Sequence, residues 1–133
     1  MPNPFCHVEL STGDVATSKK FYKSLFKWKV DTLGKAMGGY TMINVGKGVG
    51  GGMMQKMMPE QPTAWLPYVE VDDVKKALAK ARKLGADVKV DFTEIPGGMG
   101  AFGVFVDPSG AGLGVWQAAK RRARAKKTAK KRK

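Results

Sequence analysis

An α+β fold of two tandem βαβββ modules is predicted for this chain, and three observations predict it. Two stretches, FCHVELSTGDV at 5–15 and WLPYVEVDDV at 65–74, are strand-like runs that end in an Asp-Val pair opening a helix. Laid over one another, the halves align Asp14 with Asp73 at an offset of 59, and Gly48-Val49-Gly50 with Gly110-Ala111-Gly112 at 62. The chain has 133 residues, 43% of them hydrophobic, which suits one domain able to bury a core without staples. Neither half could cover its sheet face alone. The pair is therefore expected to form a curled mixed sheet around a cavity, with the helices outside.

Each element has a local reason. Asp14 and Asp73 suit N-caps, because a short carboxylate accepts the unpaired amide protons of a first turn. In the second helix Val74, Ala77, Leu78, Ala81 and Leu84 fall at the spacing of one apolar stripe, and Gly85 supplies the stop. The first helix is rougher, with Val15, Phe21, Tyr22, Leu25 and Phe26 apolar and lysines on the other face. Each helix is followed by a strand (WKVDT at 28–32, DVKVDF at 87–92) and a glycine turn at Gly38-Gly39 or Gly97-Gly98. Two more strands complete each module: YTMINV at 40–45 and VGGGMMQ at 49–55, then AFGVFV at 101–106 and GLGVWQ at 112–117. The modules span about 5–57 and 64–117 within a domain of residues 1–119, and the prolines of MMPEQPT mark the boundary.

The formal charge of +13 divides unevenly. Ten of the 24 basic residues lie in KRRARAKKTAKKRK at 120–133, so the body keeps 14 against 11 acidic residues, a difference of +3. Such a block cannot bury apolar surface and is expected to be disordered, available to nucleic acid or another polyanion through counterion release. No apolar run approaches the roughly 20 residues of a membrane span. MPNPFCHVEL lacks the pattern of a secretory signal, and a single cysteine, Cys6, fits a reducing compartment, so a cytoplasmic location is expected. The single histidine, His7, rules out a two-histidine metal site within one chain.

GDVATSKKFYKSLFKW at 13–28, WLPYVEVDDV at 65–74 and DPSGAGLGVWQ at 107–117 resemble the vicinal oxygen chelate superfamily, which includes glyoxalase I, extradiol dioxygenases and bleomycin-resistance proteins. The resemblance covers residues 5–117 and is strongest to the glyoxalase-like branch that includes the mycobacterial culture-filtrate antigen type. It implies the paired βαβββ fold, and dimerisation by analogy with family members of this size. It also implies four metal-ligand positions in the metal-dependent members. Here these fall on His7, Gly52, Leu66 and Gly114, of which only His7 offers a donor. One imidazole does not hold a divalent ion, so no metal and no cofactor is expected.

Strand alternation places His7, Glu9 and Ser11 on one face, with Leu66, Tyr68 and Glu70 in the matching strand and Gly52, Met54, Gly114 and Trp116 on the last strands. The expected ligand-binding residues are His7, Glu9, Tyr40, Met42, Met54, Tyr68, Glu70, Phe102 and Trp116. That set is aromatic and apolar with a few polar groups, the usual makeup of a small-molecule pocket, although burial in a core also explains the aromatics. The leading expectation is a metal-free protein binding a small, partly aromatic molecule between the modules. A second is a lyase- or isomerase-type enzyme with His7 and Glu9 as catalytic residues, or His7 with Tyr68. A third is a ligand-responsive domain tethered to nucleic acid by the tail.

Overall fold

The computed structural model describes residues 3–34, 40–56 and 58–119. The Gly38-Gly39 turn, Met57 and the basic tail lie outside the described residues. The fold is α+β. Its elements run β1 (Phe5–Thr12), α1 (Val15–Leu25), β2 (Lys29–Thr32), β3 (Thr41–Asn44) and β4 (Gly51–Gln55), then β5 (Ala64–Glu70), α2 (Val74–Lys83), β6 (Asp87–Glu94), β7 (Ala101–Val106) and β8 (Gly112–Gln117). A short 3₁₀ turn, Pro96–Gly98, takes the place of a plain glycine turn between β6 and β7.

Both helices start as their aspartates require. The Asp14 carboxylate accepts from the Thr17 amide at 3.0 Å, and that of Asp73 accepts from the Lys76 amide at 3.1 Å. A second device repeats at an offset of 62. Gln55, closing β4, donates to the Gly13 carbonyl at 2.7 Å. Gln117, closing β8, accepts the Val74 amide proton at 2.7 Å. Each last strand thus ties down the start of its module's helix.

The residues divide into two compact units, 4–68 and 69–119 with Asn3. In the first, the strand order is β2-β3-β4-β1, with the opening residues of β5 beyond β1. The β1–β4 pair is parallel, while β2–β3 and β3–β4 are antiparallel. Leu10, Val30, Ile43 and Met53 form its core, with Tyr22, Trp28 and Val45 packed against them. In the second unit β8, β7 and β6 pair antiparallel, and irregularities interrupt the β6–β7 register on either side of Val90. Its core is Val74, Leu78 and Val115, flanked by Val71, Val88, Phe92 and Phe105.

The helices differ in what they bury. α2 buries Val74 and Leu78, whereas α1 has no buried residue. Leu84 departs from the expected stripe. It is the C-cap, sits past the last turn and is 70% exposed, and the chain then turns at Gly85 with φ +101°. Leu78→Ala is expected to lower stability by about 2–5 kcal/mol through the cavity it leaves. Leu25→Ala on α1 should stay within about 0.5 kcal/mol. Urea unfolding of both variants checks this, and equal losses would contradict the difference between the helices.

Candidate ligand site

Alternation along β1 sends Leu10 into the core and sets His7, Glu9 and Ser11 on the opposite face. The register of the parallel pair places Glu9 beside Gly52 and Ser11 beside Met54, and β3 adds Met42, also opposite Gly52. Thr41 and Ile43 point to the core side, so Tyr40 and Met42 belong with His7 and Glu9. At Gly52 the missing side chain matters directly. A methyl group there would overlap the ring and hydroxyl of Tyr40, so the tyrosine lies over bare backbone.

The Tyr40 hydroxyl joins the two polar groups of β1. It donates to Glu9 Oε1 at 3.0 Å and lies 2.8 Å from His7 Nε2. A phenol has one proton. With that proton on the Glu9 bond, its oxygen accepts from His7 Nε2–H, and this fixes the imidazole tautomer with Nδ1 as the acceptor. The Tyr68 ring meets His7 edge-on, with centroids 5.8 Å apart, and Tyr68 is only 5% exposed.

Burial shapes the titration of all four groups. It holds His7 below the ordinary imidazole value, so the ring is neutral near pH 7. It raises Glu9, an effect partly offset by the hydrogen bond from Tyr40. Both phenols are raised, first by burial and then by the negative charge of Glu9, and neither ionises in the neutral range.

Of the residues expected from sequence, His7, Glu9, Tyr40 and Tyr68 are brought together by direct contact. Met42 and Met54 share their strand face. Glu70, Phe102 and Trp116 lie in the second unit. There Phe102 pairs with Trp116 across β7 and β8, the Trp116 indole donates to the Met99 carbonyl at 3.2 Å, and the Glu70 carbonyl accepts from Asn3. Cys6 lies in β1, with its sulfur 3.7 Å from the Tyr68 carbonyl oxygen. The linking role of Tyr40 is what sequence reasoning missed. The tyrosine lies 31 residues from Glu9, and its one signal was a glycine on the neighbouring strand.

The donors present do not fit a divalent metal. His7 Nε2 is engaged by Tyr40, the space a side chain at Gly52 would need is filled by the same ring, and Leu66 has no donor. Among the described residues no group of three or more His, Cys, Asp or Glu could hold an ion.

Tandem βαβββ modules define the class of fold, and comparison with known sequences makes the family specific. The profile of the Glyoxalase/Bleomycin resistance protein/Dioxygenase superfamily matches residues 5–115, and the chain belongs to that superfamily. It is 37% identical over 116 residues to "Putative glyoxylase CFP32" of Mycobacterium tuberculosis, an alignment covering 84% of this chain and 44% of that protein. It is 31% identical over 127 residues to the anthracycline biosynthesis protein DauV of a Streptomyces species, covering 82% and 45%. The chain thus spans less than half the length of these relatives. In fold it is similar to methylmalonyl-CoA epimerase from Mycobacterium tuberculosis, with a TM-score of 0.63, 12% identity and 90% of each chain covered.

Two outcomes test the cluster. Gly52→Ala should displace Tyr40 and cost about 1–3 kcal/mol, whereas Gly52→Ala combined with Tyr40→Ala should recover part of that loss in the same unfolding assay. The second concerns pH. Because His7 is lowered in the folded state, its contribution to stability is present above 6.5 and is lost as pH falls through its lower folded value. Glu9, being raised, works the other way and loses stability as pH climbs from 4.5 through its higher folded value. The difference in stability between wild type and His7→Gln should therefore change as pH drops below 6.5, with wild type losing more. Parallel urea midpoints for the two proteins would contradict it.

Proposed function

We propose that this chain is a metal-free, cytoplasmic binding protein of its superfamily that takes a small, partly aromatic molecule on the His7–Glu9–Tyr40–Tyr68 face. The observation that carries this reading is the Glu9–Tyr40–His7 hydrogen-bond chain, with links of 3.0 and 2.8 Å, which orients a neutral imidazole. Nδ1 then offers a fixed acceptor to a hydroxyl, amine or amide of the ligand. The Tyr68 ring, with Met42 and Met54 on the neighbouring strands, supplies apolar and polarizable surface. The name of DauV, which associates that relative with anthracycline biosynthesis, is in keeping with a partly aromatic ligand. By family analogy the chain works as a homodimer.

The same chain supports a second reading, a proton-transfer enzyme of the lyase or isomerase type. A neutral His7 can take a proton from a carbon acid onto Nδ1, leaving the electron pair on the substrate as an enolate. The resulting imidazolium would be steadied by Tyr40 and, through it, by Glu9.

Ligand-observed NMR against aromatic antibiotics and 2-oxo compounds, with wild type and His7→Ala, tells the readings apart. Binding alone predicts bound aromatic compounds that are not converted, with affinity reduced about tenfold in His7→Ala through loss of a hydrogen bond. Conversion by wild type that vanishes in the variant while binding persists would favour the enzyme. Stoichiometric zinc, nickel or iron in protein purified without affinity nickel would overturn the metal-free reading.

A further inference from the structure

Residues 15–29 read VATSKKFYKSLFKWK, with five lysines and no acid. The helix within them leaves much of its apolar surface in solvent, although Tyr22 packs against the core. Phe21, Leu25 and Phe26 are 56%, 57% and 43% exposed, and Trp65 is 37% exposed. The rings form one connected cluster. Tyr22 lies nearly parallel to Phe26 (6.3 Å, 14°) and to Trp28 (5.9 Å, 24°), while Phe21 and Trp65 meet it edge-on at 4.9 and 5.4 Å. Lys20, Lys23, Lys27 and Lys29 are exposed, and none is ion-paired among the described residues.

We infer that this face binds single-stranded nucleic acid, with bases stacking on the aromatic cluster and phosphates meeting the lysines. Proteins that hold single strands without sequence preference combine those two features, because every base has a flat face and every linkage a charge. Charge complementarity selects a polyanion over a second copy of the chain, since two such faces would set lysine against lysine. Tyr22 is within 24° of parallel to both Phe26 and Trp28, which are tilted 37° to one another. This alignment favours flat bases over a bilayer, which accepts apolar side chains whatever their ring orientation. The ten basic residues at 120–133 would add phosphate attraction without stacking. This inference does not rest on the small-molecule site.

The test uses the full chain and the anisotropy of labelled oligothymidylate and of a duplex of equal length. Phe21→Leu with Phe26→Leu keeps apolar bulk and removes two rings. It should weaken single-strand binding about tenfold and leave duplex binding unchanged. Unaltered single-strand affinity, or an equal loss on the duplex, would overturn the inference. So would tighter binding of wild type to phosphatidylserine vesicles than to oligothymidylate, or a wild-type dimer that the double variant dissociates. Should the leucine variant melt early, Lys23→Gln with Lys27→Gln replaces it. A shallower salt dependence of single-strand binding is then expected, and an unchanged slope counts against the proposal.

Discussion

Glu9 is a carboxylate set among aromatic and apolar side chains, and the polar face of the first unit is organised around satisfying it. Moving a charge out of water costs several kcal/mol unless hydrogen bonds replace the lost solvent. The donor here is the Tyr40 hydroxyl at 3.0 Å. For that hydroxyl to reach Glu9, the ring must lie across β4, and it can do so only where β4 has no side chain. Gly52 meets that need, and its register opposite both Glu9 and Met42 fixes where the ring comes down. His7 completes the arrangement by bonding the same oxygen from two residues away on β1. A carboxylate, a phenol, an imidazole and an absent side chain thus constrain one another.

The two modules share a grammar yet differ in what they do with it. Both cap a helix with aspartate and tie its start to a glutamine at the end of the last strand. In the second module the helix then pays for itself by burying Val74 and Leu78 against β8 and its neighbours. In the first, the core is built mainly from strand residues, with Tyr22 and Trp28 at its margin. α1 can therefore carry exposed rings and lysines without loss to the core, a division of labour between a structural helix and a surface one.

Much of the fold was legible in the sequence because its signals are local. An aspartate before an apolar stripe, a glycine after it and alternating strands need no long-range information, and β7 and β8 fall on the expected residues. Leu84 shows the limit. Its spacing matches the buried stripe, but the helix ends beneath it, and spacing alone does not say where a core stops. The candidate site was legible as a face and not as a network. Alternation assigns His7 and Glu9 to one side of β1, yet the bond between them runs through Tyr40, whose position depends on strand pairing and on empty space at Gly52. An absent side chain is visible in a sequence; which ring it admits is not.

With one more proton the same three residues admit a second arrangement. With the carboxylate ionised, Tyr40 donates to Glu9 and accepts from His7, so Nδ1 is an acceptor. Were Glu9 to take up a proton from solvent, the carboxyl could donate to Tyr40 and Tyr40 to His7 Nε2, with the ring's own hydrogen moved to Nδ1. Burial favours uptake at the carboxyl, because it raises Glu9 and, by lowering His7, works against an imidazolium instead. A metal-ligating histidine has no such freedom, since the ion fixes which nitrogen is bare. With Nε2 bonded to a phenol, the outer nitrogen of this hydrogen-bond chain can accept in one arrangement and donate in the other.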